Sequence, residues 1–448
     1  TSKRGQAVDN QATRISTITK DANGNLVVTY KDGSTDTKPL SEFTSLNKQP
    51  AIDAVNKAAE DKIAEINANT NATAEEKAAA IEKVNADKAK ALTAINDNSV
   101  TTKAALDNAK TSGTTAISND NPVVTKKNTA KAAIDSALRA KEAAIDANDD
   151  LTTEEKNAAK ADAQAKANAA KTAIDNATTN VAVDSAQTAG TTSVSSVTPT
   201  AVAKPVAKKA IDDALKAKEA QLDARNDLTT EEKEAAKADA QARATAAKNN
   251  IDTATTNSTV DNAKTTGVAD VESVNPQASQ KKTDAKNAVD EALKAKEAEI
   301  DANNDLTAEE KSKAKEDAKS KADVAKQAID NATTNDAVTQ AKNAGAISVD
   351  SVTPTPVAKP AAKQAIDDAL KAKNDAIDAN NDLTDEEKAK AKEDAKAKAD
   401  AAKQAIDNAT TNDAVEQAKN DGATSISSVT PTPTAKPAAK QAIDDALK

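Results

Sequence analysis

The sequence predicts an all-α protein: a tandem array of elongated three-helix modules, two helices long and one short, forming a rod and preceded by a short β-hairpin-like segment. Three observations predict it. A helix-start signal recurs, as NDDLTTEEK at Asn148–Lys156, NDLTTEEK at Asn226–Lys233, NNDLTAEEK at Asn303–Lys311 and NNDLTDEEK at Asn380–Lys388, with a weaker NTNATAEEK at Asn69–Lys77. An apolar anchor of the first helix falls at Ile52, Ile134, Ile211, Val289, Ile366 and Ile443, in steps of 82, 77, 78, 77 and 77 residues. From Pro122 onward every proline lies in an inter-repeat junction such as SVTPTAVAKP, where its missing N–H and rigid ring mark a boundary.

Residues 1–47 differ from the rest and read as a β-rich segment or the tail of a preceding β-domain. Asn25–Tyr30, NLVVTY, carries β-branched residues, and the Asp32-Gly33 pair that follows is a hairpin-turn signal. Tyr30 and Phe43, the only aromatic residues, both lie here. A two-stranded ribbon alone is marginally stable in water.

The helical units are expected at 48–121 (a divergent first repeat), 122–198, 199–275, 276–353 and 354–430, with 431–448 the truncated start of a sixth. In the third, helix one is expected from near Pro205 to about Ala224. Its inward stripe is Ala207, Ile211, Leu215 and Leu222, with the alkyl stem of Lys218 filling the gap. Helix two follows Thr229, whose hydroxyl can accept from the first-turn amides while Glu232 reaches back, a capping box. Glu231 adds negative charge where the helix dipole favours it. The stripe of helix two is Ala236, Ala240, Ala244, Ala247, Ile251 and Ala254. A short third helix, carrying Val260 and Ala263, is expected to end at Gly267 in a left-handed C-cap; Gly113, Gly190, Gly345 and Gly422 are its counterparts. Alanine favours the helix but buries little surface, so each module should have a thin core and lean on its neighbours.

Composition removes most chemistry. Lys and Arg number 61 and Asp and Glu 71, finely mixed, for a net charge of -10. Such a surface is well solvated and argues against nucleic acid and anionic membranes as partners. Cys, His, Met and Trp are absent, so zinc sites and Ser-His or Cys-His nucleophile pairs are ruled out. No apolar run is long enough to span a bilayer. The last repeat stops at Lys448 within its first helix, and the chain reads as an excerpt of a longer one.

The strongest metal candidates are the loops between helices one and two. Asp301–Asp305, Asp378–Asp382 and the trio Asp146, Asn148 and Asp150 give the alternate oxygens that suit calcium. They lack the glycine and distal glutamate of an EF-hand, and Arg225 stands at the middle position of a sister loop. Asx turns leading into the next cap are the simpler reading, as they are for DANGN at Asp21–Asn25. Carboxylate pairs such as Glu231-Glu232 and Asp212-Asp213 are read as solvated surface, since general acid-base work needs a shaped pocket. No catalytic, cofactor-binding or metal residue is nominated, no cofactor is expected, and the protein is read as not an enzyme.

The full unit, from Ala361 to Val429, resembles the tandem helical repeat, formally of unknown function, of giant cell-wall-anchored surface proteins of Gram-positive bacteria. The residues that carry the likeness are the Ile-Asp anchor, the LT-x-EE centre, the segment AIDNATTN at Ala405–Asn412 and the closing Ala-Lys…Gly. It spans about 50–448. VTYKDGSTDT is similar to a tract that ends β-domains in such proteins. The first repeat departs most, with NATAEE for the usual centre, as a capping or degenerate module. The resemblance implies an extracellular, cell-wall location, anchorage to peptidoglycan through a segment not present here, and a role in adhesion, matrix binding and biofilm.

Residues and resemblance together point to a non-catalytic stalk that projects a distal binding domain from the cell wall. At roughly 40–50 Å per module, five modules would span on the order of 200 Å as a monomeric rod. The alternatives are that the repeats themselves bind a host matrix or plasma protein such as fibronectin, fibrinogen or albumin, or that they join cells in a biofilm.

Overall fold

The computed structural model describes residues 14–40 and 46–448; Phe43 and the outer parts of the expected β-rich segment lie outside them. Near the N-terminus three strands, β1 (Ile15–Lys20), β2 (Asn25–Tyr30) and β3 (Thr35–Pro39), form an antiparallel sheet in the order β1-β2-β3. The hairpin expected at Asp32-Gly33 is there, with Gly33 at φ 81°, and Gly24 takes the same left-handed conformation at φ 85°. In the first turn Asp21 Oδ1 accepts from the backbone N–H of Asn23 and Asn25, so DANGN is a turn. The strand that adds to the expected hairpin is β1, ISTITK, which pairs antiparallel with β2.

Sixteen helices follow among the described residues. The first module holds α1 (Gln49–Ala68), α2 (Ala74–Asn96) and α3 (Lys103–Ser118); the second holds α4 (Lys126–Asp146), α5 (Thr153–Asn176) and α6 (Asn180–Ser195). The third holds α7 (Ala203–Asp223), α8 (Thr230–Thr253) and α9 (Asn257–Glu272), and the fourth α10 (Gln280–Ala302), α11 (Ala308–Asn331) and α12 (Asn335–Asp350). The fifth holds α13 (Ala358–Asp378), α14 (Asp385–Asn408) and α15 (Asn412–Ser427), and α16 (Ala435–Ala446) comes last. The chain divides into two compact units, Thr1–Lys204 with Thr255–Asn257, and Pro205–Ala254 with Ser258–Lys448.

Within a module all three helices share one seam. In the fourth it is Ala285 and Val289 of α10, Ala322, Ala325 and Ile329 of α11, and Val338 and Val349 of α12. In the third module most of the expected stripes is buried, Ala207, Ile211 and Leu222 in helix one and Ala236, Ala240, Ala244, Ala247 and Ile251 in helix two, while Leu215 is half-buried at the edge of the core. Lys218 is buried among them, its stem filling the predicted gap.

Two expectations are corrected. The recurring glycine does not end helix three. None of these glycines has a positive φ, and each lies inside a helix of 16 residues, about 24 Å long. The glycine is there for space. A Cβ on Gly190 would stand 2.5 Å from Ala170 Cβ and 2.7 Å from Ile134 Cδ1. The second correction is the register of the first module. Val55, fully buried, occupies the anchor position that Ile134 fills in the second, whereas Ile52 is half-buried on the rim of the seam. The extra length of that module lies in the loop between α2 and α3, not in helix one.

Candidate functional site

The most repeated polar constellation lies where one module meets the next. It begins with the threonine caps. Thr73, Thr152, Thr229, Thr307 and Thr384 each sit in extended backbone before helix two and accept from the N–H three residues on, while the glutamate there accepts from the threonine N–H. All five capping boxes are formed, as the sequence predicts.

The glutamates then do something the sequence reading did not assign. In the first unit Glu76 takes the Thr73 N–H with one carboxylate oxygen and, with the other, the N–H groups of Thr125 and Lys126, both at 2.9 Å, at the start of α4. In the second unit Glu310 takes the Val357 N–H at 2.9 Å, before α13, and Glu387 those of Thr434 and Ala435 before α16. The preceding glutamate of each pair reaches a different helix. Glu75, Glu231 and Glu309 accept from Asn180, Asn335 and Asn412, the first residues of α6, α12 and α15, at 3.0, 2.9 and 2.9 Å. These pairs are therefore not solvated surface. Both carboxylates of a pair point at helix N-termini of the following module, where orphan amides and the dipole favour them.

A backbone bond and a buried lysine complete the joint. The N–H of Ala74, Thr230 and Ala308 donates to the carbonyl of Thr178, Thr333 and Thr410 in the next module, at 2.7–2.8 Å. Lys127, Lys282 and Lys359 are buried at 4 % exposure. Lys359 Nζ donates to the Asn304 carbonyl of the fourth module and the Asp407 carbonyl of the fifth, both at 2.7 Å. Lys127 bridges Thr70 and Asp175 in the same way, and Lys282 bridges Asn226 and Asp330. A buried ammonium is costly unless its donors are matched, and here carbonyls that helix and loop ends leave open match them. Sequence reasoning missed these lysines. Lys359 stands in an Ala-Lys-Pro run, but Lys127 and Lys282 follow another lysine, so no single local motif marks all three.

Electrostatics follow from this geometry. Burial pushes the Glu310 carboxyl up, but the N–H of Val357 and the Thr307 bonds outweigh it and hold it below the ordinary glutamate range; Glu76, Glu155 and Glu232 behave alike. Glu387, with less burial to oppose it, is held at about 2 by the N–H groups of Ala435 and Thr384.

The candidate calcium loops are Asx turns. Asn148, Asn303 and Asn380 each accept, through Oδ1, the N–H two residues on at 3.0 Å. The leading aspartates pair with lysines of helix two, Asp146 with Lys160, Asp301 with Lys315 and Asp378 with Lys392. Among the described residues no group of three or more acidic side chains could hold a metal ion. Asp212 pairs with Lys248 and Asp213 with Lys209. Open grooves lie between the inter-module linker and helix two. The one lined by Glu310, Ala314, Asp317, Val352 and Pro354 is about 430 Å³. No helix among the described residues is long and apolar enough to cross a membrane.

Comparison with known proteins gives one family. A model described as Domain of Unknown Function (DUF1542) matches residues 47–125, 126–202, 203–279, 281–357 and 358–434. Among curated proteins, the Extracellular matrix-binding protein EbhA of Staphylococcus aureus strain Newman is 30% identical over 377 residues, 84% of this chain and 11% of that protein. The Extracellular matrix-binding protein ebh of strain NCTC 8325 is 30% identical over the same share of this chain and 4% of its own length. The chain thus spans about a tenth or less of these relatives. No solved structure matches it.

Proposed function

This chain belongs to the DUF1542 family, and from that premise we propose that it is a non-catalytic spacer region of a bacterial cell-surface adhesin, a stalk that carries a distal binding domain away from the cell wall. The observation that carries this reading is the joint. The glutamate pair, the buried lysine and the backbone bond recur with the module, and each links one module to the next. A spacer needs such joints, because a string of unlinked bundles transmits neither direction nor distance. The names of the relatives support an extracellular setting. The module boundaries at 48–121, 122–198, 199–275, 276–353 and 354–430, with a sixth begun at 431–448, are part of the proposal. They are supported by the prolines and the joints.

Small-angle scattering on the whole chain tests it. A spacer should show a maximum dimension on the order of 200 Å, from helices of about 36 Å placed in series. A radius of gyration near 22 Å, that of a compact globule of this length, would sink the idea.

One observation favours a second reading: the relatives are named for binding extracellular matrix. If the modules themselves bind a matrix or plasma protein, the chain should give saturable binding to immobilised fibronectin, fibrinogen or albumin. A role in cell-to-cell association instead requires concentration-dependent oligomers in sedimentation.

A further inference from the structure

The helices of a module begin in two different ways. Helices two and three carry their own caps: Thr307 serves α11, and Thr334 Oγ1 accepts the Ala337 N–H at 3.0 Å for α12. Helix one does not. Thr125, Val357 and Thr434 stand at the N-caps of α4, α13 and α16, and none makes a side-chain bond to the helix it precedes. The amides left open there are the ones taken by Glu76, Glu310 and Glu387 of the module before. The first module needs no such partner. The Gln49 N–H goes to Asn47 Oδ1 at 3.1 Å, and Pro50, in the first turn of α1, has no N–H to satisfy.

We propose that the helix-one starts of the array are capped in one direction only, each by the module before it. The end of each module that bears its glutamate pair is a receptor face for the helix-one start of a following module of the same kind. Disturbing a receptor face therefore frays the module downstream. Losing the downstream module takes the Thr410 carbonyl from the Ala308 N–H but leaves the capping box of α11, because Glu310 keeps its bond to the Thr307 N–H. Helices are completed in the order in which a chain emerges during synthesis, each newly made helix one meeting a face already built.

The fourth module supplies an internal control. Its helix-one N-cap is Ser279, which accepts the Lys282 N–H at 3.1 Å besides contacting Glu232. Hydrogen exchange with mass spectrometry on the full chain decides the matter. Glu310→Ala should speed exchange of the first amides of α13 about 5–10-fold, the usual effect of losing a cap, and should leave α7 and α10 unchanged. Adding Val357→Ser to that variant, which gives α13 a local cap, should restore protection there. Glu232→Ala should fray α10 clearly less than Glu310→Ala frays α13. Because Glu310 also closes the capping box of α11, the start of α11 is expected to exchange faster too. Equal fraying in α10 and α13, faster exchange at the start of α7 or α10 in Glu310→Ala, or no rescue of α13 by Val357→Ser would each overturn the proposal.

Discussion

Along the rim of its seam the second module sets Lys131, Lys160 and Lys171 against Asp175, Asp146 and Asp135. The positions 79 residues earlier in the first module hold Ile52, Ile81 and Leu92, facing Asn96, Asn67 and Asn56. All three ion pairs have been replaced, lysine by Ile or Leu and aspartate by Asn, and the three apolar side chains pack against the core of the first module. A fourth exchange lies at the end of helix three. Buried Val197 of the second module corresponds to Asp120 in the first, and Asp162 to Lys83; Lys83 Nζ lies 2.7 Å from the fully buried Asp120. The rim thus tolerates two chemistries as long as partners change together. The centre also varies, with Val55 and Val84 where the second module has Ile134 and Ala163, but the closest approach does not: Gly113 packs on Ala91 as Gly190 packs on Ala170.

The largest effect should therefore come from the part the two modules share. Gly345→Ala places a methyl against Ala325, whose backbone lies only 3.5 Å from the new carbon, so relief requires the helices to move apart. Overpacking of this kind costs about 1–3 kcal/mol. Gly113→Ala meets Ala91 in the same manner and should cost as much. Urea melts of both variants check this. A first module that accepts the methyl freely would show that its seam is looser than its neighbours'.

How much of this was legible follows the same division. The seam was readable to the residue in the third module, since a helix stripe of alanines between capping signals has one periodic solution. The glycine was misread because a C-cap and a close approach both ask for glycine. Only the neighbouring Ala, far away in sequence, tells them apart. The first-module anchor was misplaced because Ile52 looks like the better hydrophobe; burial chose Val55, in step with Thr73 and Ile66. The joint was half visible. One glutamate per cap is explained by the capping box, and the second was assigned only to the helix dipole. The partners of both lie roughly 50 and 100 residues on, out of reach of any local pattern.

A smaller effect separates the two rim chemistries. Lys326 pairs with Asp290 in the fourth module, both partly exposed, so the pair contributes about 0.2–1 kcal/mol and weakens with salt. Writing the first module's solution there, Lys326→Leu with Asp290→Asn, exchanges that pair for the burial of part of a leucine, about 1 kcal/mol. Thermal melts should show a gain of a degree or two and a loss of salt dependence. A drop in stability at every salt concentration would show that the two rims are not interchangeable.

The smallest effect lies at the joint before α16, where Glu387 stands without the burial that opposes its sisters. Its carboxyl is lowered from 4.5 to about 2 by the N–H groups that donate to it. A carboxyl depressed in the folded state stabilises above its ordinary value, and that contribution is lost as pH falls from 4.5 through about 2. The amide resonances of Thr434 and Ala435 report the bonds directly and should titrate near 2, well below the midpoint of a free glutamate. The first module has no glutamate pair before it, so the amides at the start of α1 should show no such titration, and the contrast isolates the joint from general acid unfolding. If Thr434 and Ala435 instead titrate at the ordinary glutamate value, the carboxylate is not holding the helix start and the joint loses its strongest electrostatic element.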